Sequence, residues 1–118
     1  MSRLPPVAAT PGAKVYFLAD TSSGISSLVD SGACQSLIPV NMAKHKGKKG
    51  KPLRAANGSP IATYGETKYT IKTRNVCYTW NFLVADVFLP LLGADFLDFY
   101  DLLVDVKRKR LVPASAIT

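Results

Sequence analysis

The sequence predicts an all-β domain that contains a single short helix. Short runs rich in β-branched and aromatic residues recur along the chain, and clusters of glycine, serine, threonine and asparagine separate them, as expected for strands joined by tight turns. Only residues 94–100 place apolar side chains, at Phe96, Leu97 and Tyr100, with the spacing of a helix. Many short strands and one helix favour a barrel-like architecture.

The size and composition of the chain are those of one folded domain. Its 118 residues are enough for one modest core, and a composition of 47% hydrophobic and 19% charged residues argues against a disordered chain. Three prolines and little periodicity mark residues 1–12, which we expect to be extended or flexible. We therefore expect a folded domain at residues 13–113 and a tail at residues 114–118.

Turn residues divide the domain into its predicted strands. Residues 21–24 and Arg74-Asn75 each separate two β-rich runs, and Asn57-Gly58 is a strong hairpin signal. Pro39 cannot donate to a sheet, so its strand should end there or lie at an edge. The predicted strands cover residues 14–20, 25–29, 36–40, 52–56, 60–64, 67–73, 78–85, 102–106 and 110–112.

The chain is basic, with a net charge of +7 and positive clusters at residues 44–51 and 107–110. Such clusters attract nucleic acid or form solvated loops. The first cluster contains no aromatic residue for stacking on bases, so the sequence favours an exposed loop over a nucleic-acid partner. His45 has no neighbouring ligand at metal spacing, and we expect neither a metal nor a cofactor.

Targeting signals and cysteine content indicate an intracellular protein. No apolar stretch approaches the roughly 20 residues that cross a bilayer, and the N-terminus lacks the apolar segment of a signal peptide. Two cysteines, Cys34 and Cys77, are too few for a disulfide framework. We expect Cys34 to be a small buried residue.

Asp30 is the best candidate for a catalytic residue. Carboxylates hydrolyse peptide bonds as a close pair, in which two acids share a proton, one activates water and the other donates to the carbonyl. A small hydroxyl residue and a glycine after the acid allow the two backbones to approach, and Asp30-Ser31-Gly32-Ala33 has this order. The sequence contains this loop once, since Asp20-Thr21-Ser22 lacks the glycine. A two-fold homodimer would supply the second acid.

Several ordered motifs resemble the retropepsin-like aspartic proteases of gypsy-type LTR retrotransposons. The run LVDSGA at residues 28–33 precedes LLGADFL at residues 91–97, and AANG, YGE and LVDV match in order at residues 55–58, 64–66 and 103–106. The resemblance covers roughly residues 15–112. It implies a closed β-barrel protomer, with one short helix near its C-terminal end, that is active as a homodimer.

The resemblance also implies a role for each motif. Asp30 would be catalytic, Ser31, Gly32 and Ala33 would support its loop, and Leu91, Leu92 and Gly93 would form a loop that buttresses the catalytic strand. The flap that closes over a bound peptide would span about residues 54–64. Its substrate-contacting residues would be Ala55, Ala56, Asn57, Gly58, Ser59 and Pro60.

The implied activity is that of an aspartic endopeptidase that processes a Gag-Pol-type polyprotein, in the cytoplasm or within retroelement particles. The chain departs from retroviral members of the family at two positions. An acidic residue commonly stands in the place of Cys34 and an arginine in the place of Ala94, where they form an ion pair near the dimer interface. Their joint absence keeps an alternative open, a weakly active or inactive module that binds peptide or nucleic acid. Asp95 is expected to start the helix.

Overall fold

The structure, a computed structural model, describes residues 15–45, 47–55 and 57–116 and consists mostly of strands. It contains one α-helix, α1, at Ala94–Phe99, and two single turns of 3₁₀ helix at Val40–Met42 and Ala114–Ala116. The strands are β1 Val15–Ala19, β2 Ser26–Asp30, β3 Leu37–Pro39, β4 Leu53–Arg54, β5 Pro60–Ile61, β6 Thr63–Lys72, β7 Cys77–Ala85, β8 Leu91–Leu92, β9 Leu102–Asp105 and β10 Arg110–Pro113.

Six of the strands form one mixed sheet in the order β1-β2-β8-β3-β7-β6, and two separate hairpins, β4-β5 and β9-β10, complete the described structure. Strand β2 runs parallel to β8, and β3 runs parallel to β7, whereas β1 and β6 pair antiparallel with their neighbours. The parallel pairs bring segments that are distant in sequence together at the centre of the sheet. Strand β2, which ends in Asp30, is therefore an interior strand.

The prediction of a closed barrel is wrong for the described residues, because the six-stranded sheet stays open. Its end strands, β1 and β6, share no ladder. The sheet curls far enough for the turn after β1 to reach the end of β6, where the amide N–H of Thr21 donates to the Lys72 carbonyl at 2.8 Å. Strand β1 has only five residues and turns away at this point, so the contact is limited to the turn that begins at Asp20.

The predicted strands and the helix are confirmed, with one local correction. Pro39 ends its strand, which was one of the two predicted alternatives, and β3 lies between β8 and β7 in the sheet. Leu91 and Leu92 were expected in a loop and instead form β8, a strand too short to have a recognisable alternation. Residues 1–12 lie outside the described residues, as do residues 117 and 118, so the domain boundaries stay a prediction.

The buried side chains form two clusters on opposite sides of the central strands. The larger cluster contains Val29, Phe82 and Phe96, none of which has exposed surface, and α1 packs against it. Trp80 contacts this cluster from β7. The smaller cluster consists of Leu37, Ile61, Ala85, Val87 and Leu91. No helix within the described ranges is long and apolar enough to span a membrane.

Asp95 joins four separate parts of the chain through one carboxylate. Its Oδ1 accepts from the Ser36 hydroxyl at 2.7 Å, and its Oδ2 accepts from the Ser36 N–H at 3.1 Å and from Trp80 Nε1 at 3.3 Å. The Ser36 hydroxyl oxygen in turn accepts from the Gly93 N–H at 2.9 Å. We call this group the Asp95 clamp. It fastens the segment after Asp30 to β7, to the end of β8 and to α1.

Replacing Asp95 with alanine should destabilise the protein strongly. The change removes a charged acceptor and leaves the buried donors of Ser36 without a partner, and we expect a loss of about 3 kcal/mol in the free energy of unfolding. Urea denaturation followed by circular dichroism measures the loss. Asp98→Ala is the matched control, because Asp98 lies on the same helix but is exposed, and it should change stability by less than about 0.5 kcal/mol. Equal losses in both variants would contradict a special role for the clamp.

Asp20 organises the turn between β1 and β2. Its Oδ1 accepts from the Ser22 hydroxyl at 2.8 Å and from the Ser22 N–H at 2.9 Å, with a longer contact to the Ser23 N–H. Burial raises the pKa of the Asp20 carboxyl, but these hydrogen bonds outweigh burial, so the pKa lies below its ordinary value. The turn is therefore stabilised by the ionised form of Asp20.

This lowered pKa predicts a pH-dependent contribution to stability. A folded-state pKa below the unfolded value stabilises the fold at pH above the ordinary aspartate pKa of about 3.9, and the contribution is lost as the pH falls through the folded pKa. Asp20→Asn keeps an acceptor oxygen but cannot ionise. We expect the variant to be less stable than the parent at neutral pH and the difference to shrink in acid, as measured by urea unfolding over a pH series. A difference that stays constant with pH would disprove this origin.

Candidate active site

Asp30 is the last residue of β2 and is completely buried. Its strand is held on both sides, since Val15 of β1 pairs with Asp30 itself and Leu92 of β8 pairs with the preceding Val29. Val29 points into the larger core cluster and has no exposed surface. The sequence alternation of this strand therefore fixes the direction and depth of the Asp30 side chain.

A tight turn follows Asp30 and holds one of its carboxylate oxygens. The Gly32 N–H donates to Asp30 Oδ1 at 2.8 Å, and the Ala33 N–H donates to the Asp30 carbonyl at 3.1 Å. Asp30 Oδ2 is also buried, and within the described residues it has no hydrogen-bond partner. A buried carboxylate oxygen is normally hydrogen-bonded, so one without a partner needs an explanation. Asp20 Oδ2 and the Tyr16 hydroxyl are in the same state among the described residues, so it is this oxygen together with the Asp30-Ser31-Gly32 motif that marks a candidate functional position.

The segment after β8 packs against this turn. The Ala94 N–H donates to the Ala33 carbonyl at 2.7 Å, and a Cβ at Gly93 would lie only 2.8 Å from the same carbonyl oxygen. Glycine is therefore needed at residue 93 because two backbones approach closely, and its φ of −99° is open to any residue. The structure brings Leu91, Leu92 and Gly93 directly beside the Asp30 loop.

The hairpin predicted to be a flap is formed by β4 and β5. In it, Leu53 pairs with Ile61 and Arg54 pairs with Pro60. The Gly58 N–H donates to the Ala55 carbonyl at 2.9 Å, and the Ala55 N–H donates to the Ser59 carbonyl at 2.8 Å. Gly58 has a φ of +87°, which a side chain would strain. Ala56 lies outside the described residues, so the placement of that predicted flap residue stays a prediction.

The smaller buried cluster connects this hairpin to the Asp30 loop. Leu53 and Ala55 of the hairpin pack against it, and so do Ala33 of the loop and Leu28 of β2. The cluster that joins the two elements is therefore apolar.

A groove of about 960 Å³ lies between α1 and the β9-β10 hairpin, and Ser31 lies at its border. Leu97, Val104 and Leu111 give it an apolar lining, while Asp105 pairs with Arg108 and Arg110 at its rim. Leu103, which also lines the groove, keeps 45% of its surface exposed. The groove thus extends from the Asp30 loop along β9, in which Leu103 is the exposed apolar residue.

Two features of the site differ from the sequence-based expectations. Cys34 was expected to be buried, but it is exposed, because the turn after Asp30 directs residues 34 and 35 outward before β3 begins. The part played by Asp95 was underestimated, since it does more than start α1. The sequence shows Ser36 after the Asp30 loop and Asp95 after Gly93, but no local pattern indicates that these two residues are in contact. The described residues contain no cluster of ligands suited to a metal ion.

Comparison with known proteins supports the fold. No protein-family model matches the chain, and no curated protein is similar enough in sequence to count as a match. The structure is similar to the retroviral protease-like domain of Ddi1 from Leishmania major, with a TM-score of 0.63 and 16% identity over 88% of this chain and 90% of that one. It is also similar to the EIAV protease in complex with the inhibitor HBY-793, with a TM-score of 0.52 and 26% identity over 76% of this chain and 92% of that one. The chain therefore has the fold of retroviral protease-like domains.

Proposed function

We propose that the chain is one half of a homodimeric aspartic endopeptidase, with Asp30 from each protomer forming the catalytic pair. The observation that carries the proposal is the buried Asp30 Oδ2, which has no partner among the described residues while Oδ1 is held by Gly32. A second carboxyl group that shares a proton with this oxygen would satisfy it. The similarity to retroviral protease-like domains supports this chemistry.

The proposed mechanism needs both protomers at every step. One Asp30 carboxylate accepts a proton from water as the water oxygen attacks the scissile carbonyl carbon, and the protonated partner donates its proton to the carbonyl oxygen. The C–N bond of this tetrahedral intermediate then breaks as the carboxyl that took the water proton donates it to the leaving nitrogen, and the hydroxyl proton returns to the other carboxylate. The Gly32 N–H orients the carboxylate throughout, because it binds Oδ1 and leaves Oδ2 for the shared proton.

The second protomer would occupy the groove between α1 and the β9-β10 hairpin. This groove borders the Asp30 loop at Ser31, and Leu103 leaves apolar surface exposed along it. A two-fold axis beside Ser31 would bring the two Asp30 loops together and cover that surface at once. The proposed dimer thus follows from the position of the groove relative to the catalytic loop.

The proposed substrate is an extended polypeptide with apolar side chains around the scissile bond. Residues of the β4-β5 hairpin and of the Asp30 loop pack against one apolar cluster, which supports apolar surroundings for a substrate bound between them. We infer from the motif resemblance that the substrate is a retroelement polyprotein of Gag-Pol type, cut in the cytoplasm or within the particle. The assignment to gypsy-type elements belongs to the same proposal.

A second candidate is a binding module that keeps the fold without efficient catalysis. Cys34 and Ala94 cannot form the ion pair that retroviral members of the family place near the dimer interface, and the Cys34 side chain is exposed. A weaker dimer would leave most protomers without a complete catalytic pair. Dimer affinity and activity, measured together, therefore distinguish the two candidates.

Replacing Asp30 with asparagine should abolish peptide cleavage while the fold is retained. Asparagine keeps the acceptor for the Gly32 N–H but cannot share a proton, so we expect activity to fall by at least about 10³-fold. Digestion of a mixed peptide library at mildly acidic and neutral pH, with mass-spectrometric detection, measures the loss.

Asp101→Asn is the matched control for this change. Asp101 is exposed and has a φ of 53°, a conformation that asparagine tolerates, so the control should retain full activity. Cleavage that persists in Asp30→Asn would overturn the proposal. Absence of cleavage in the parent protein, shown to be folded and dimeric, would favour the binding module.

A charge in the groove should weaken the dimer and the activity together. We expect Leu103→Asp to raise the dimer dissociation constant at least about tenfold, which corresponds to about 1.4 kcal/mol. Sedimentation equilibrium measures this constant, and cleavage assayed over a dilution series measures the activity. Val76→Asp is the control, because Val76 is 44% exposed but lies in the turn between β6 and β7. Equal effects of the two changes would contradict the proposed interface.

A further inference from the structure

Residues 47–51, which we name the lysine strap, form an extended segment held against the start of β6. The Gly47 N–H donates to the Tyr64 carbonyl at 3.1 Å, and the Gly50 N–H donates to the Thr63 carbonyl at 2.8 Å. The Thr63 hydroxyl completes the attachment by donating to the Lys51 carbonyl at 2.9 Å. The sequence alone favoured a solvated loop, but the backbone of this segment is fixed at three points.

Glycines make this close attachment feasible. A Cβ at Gly47 would lie 2.5 Å from the Tyr64 carbonyl oxygen, and a Cβ at Gly50 would lie 3.1 Å from the Thr63 hydroxyl oxygen. Only a residue without a side chain allows the strap to lie so close to β6 at Gly47. The alternation of glycine and lysine therefore places the backbone on the protein and the lysine side chains in solvent.

The charges of the strap are not neutralised by the protein. Lys48, Lys49 and Lys51 are exposed, and both ion pairs among the described residues belong to Asp105. Among the described residues, Asp86 and Glu66 form no ion pair with the strap, and their hydrogen bonds come from neutral groups. Asp86 Oδ2 accepts from the Tyr64 hydroxyl at 3.1 Å, and Glu66 Oε1 accepts from Asn81 Nδ2 at 2.6 Å. Three neighbouring positive charges thus repel one another until an anion binds.

We propose that the lysine strap binds the phosphate backbone of nucleic acid, independently of base sequence. Contacts to phosphate require positive charge at a fixed place and little else, and an ordered backbone lowers the entropic cost of presenting the charges. The strap contains no aromatic residue, so stacking on bases contributes nothing. This site is separate from the catalytic pair and does not depend on the proposed protease activity.

The composition of the strap favours nucleic acid over an acidic protein. Protein interfaces are depleted in lysine at their centres and are built around aromatic and apolar side chains. Residues 47–51 contain only glycine and lysine, so they offer no apolar surface to bury against another protein. A chain of regularly spaced phosphates needs no such surface.

The salt dependence of binding tests the proposal. We would measure the affinity of the whole chain for a fluorescently labelled DNA duplex of mixed sequence by anisotropy, over a series of NaCl concentrations. If each lysine neutralises one phosphate, the triple change of Lys48, Lys49 and Lys51 to glutamine should make the slope of log K against log salt shallower by about 2.7. Between about 50 and 200 mM salt, the affinity of the parent protein should therefore fall by a factor about 40-fold larger than that of the triple variant.

A matched variant distinguishes DNA binding by the strap from the general electrostatic attraction of DNA to a basic protein. Changing Lys68, Lys72 and Lys107 to glutamine removes the same charge from exposed positions elsewhere, and we expect a clearly smaller change in slope. Gly47→Ala keeps every charge but displaces the strap from Tyr64, and it should weaken binding at constant net charge. Asp30→Asn should bind like the parent protein. Circular dichroism verifies that each variant is folded.

Three outcomes would overturn the proposal. The first is an equal loss of slope in the two triple variants, which would assign binding to net charge alone. The second is competition by polyglutamate as strong as that by unlabelled duplex of equal charge, which would indicate an acidic protein partner. The third is no measurable binding at low salt. Unchanged affinity in a folded Gly47→Ala variant would refute the role of the attachment to β6.

Discussion

The architecture around Asp30 depends on one polar contact, the bond between the Asp95 carboxylate and Ser36. Ser36 follows the Asp30 loop and Asp95 lies in the first turn of α1, so their bond joins residues that are 59 positions apart in the chain. Through the Ser36 hydroxyl it also fixes the Gly93 N–H, and through Trp80 it reaches β7. Apolar packing alone would allow these segments to slide, because hydrophobic contacts are not directional. The clamp fixes their register.

The clamp has a direct effect on the geometry of the candidate catalytic group. Gly93 can approach the Ala33 carbonyl closely only if the backbones on both sides are held, and the Ala94 N–H then binds that carbonyl. Ala33 is in turn bonded to Asp30, so the carboxylate direction is set by a chain of backbone contacts. A group fixed in this way can keep one buried oxygen unsatisfied, a state that would relax in a flexible loop.

Local sequence signals predicted the elements, but not how they assemble. Alternation and turn residues identified the hairpin at residues 15–30, the β6-β7 pair and the helix, because each of these depends on neighbours in the sequence. The parallel pairing of β2 with β8, the open sheet and the Asp95 clamp were missed by residue-level patterns. Each of them depends on residues that are far apart in the chain, where periodicity contains no information. Asp30 was found because its loop is a local motif, whereas the exposure of Cys34 depends on the path of the chain after it.

The β4-β5 hairpin differs in stability from the sheet beneath it. Its ladder joins only two pairs of residues, whereas β6 and β7 pair along most of their length. Local opening free energies follow the number of buried contacts and backbone bonds that must be broken, so this hairpin can separate while the sheet remains intact. The hairpin therefore opens at a small fraction of the cost of global unfolding. Under the proposed function, entry of a long substrate would then be limited by a fast local fluctuation and would require no rearrangement of the core.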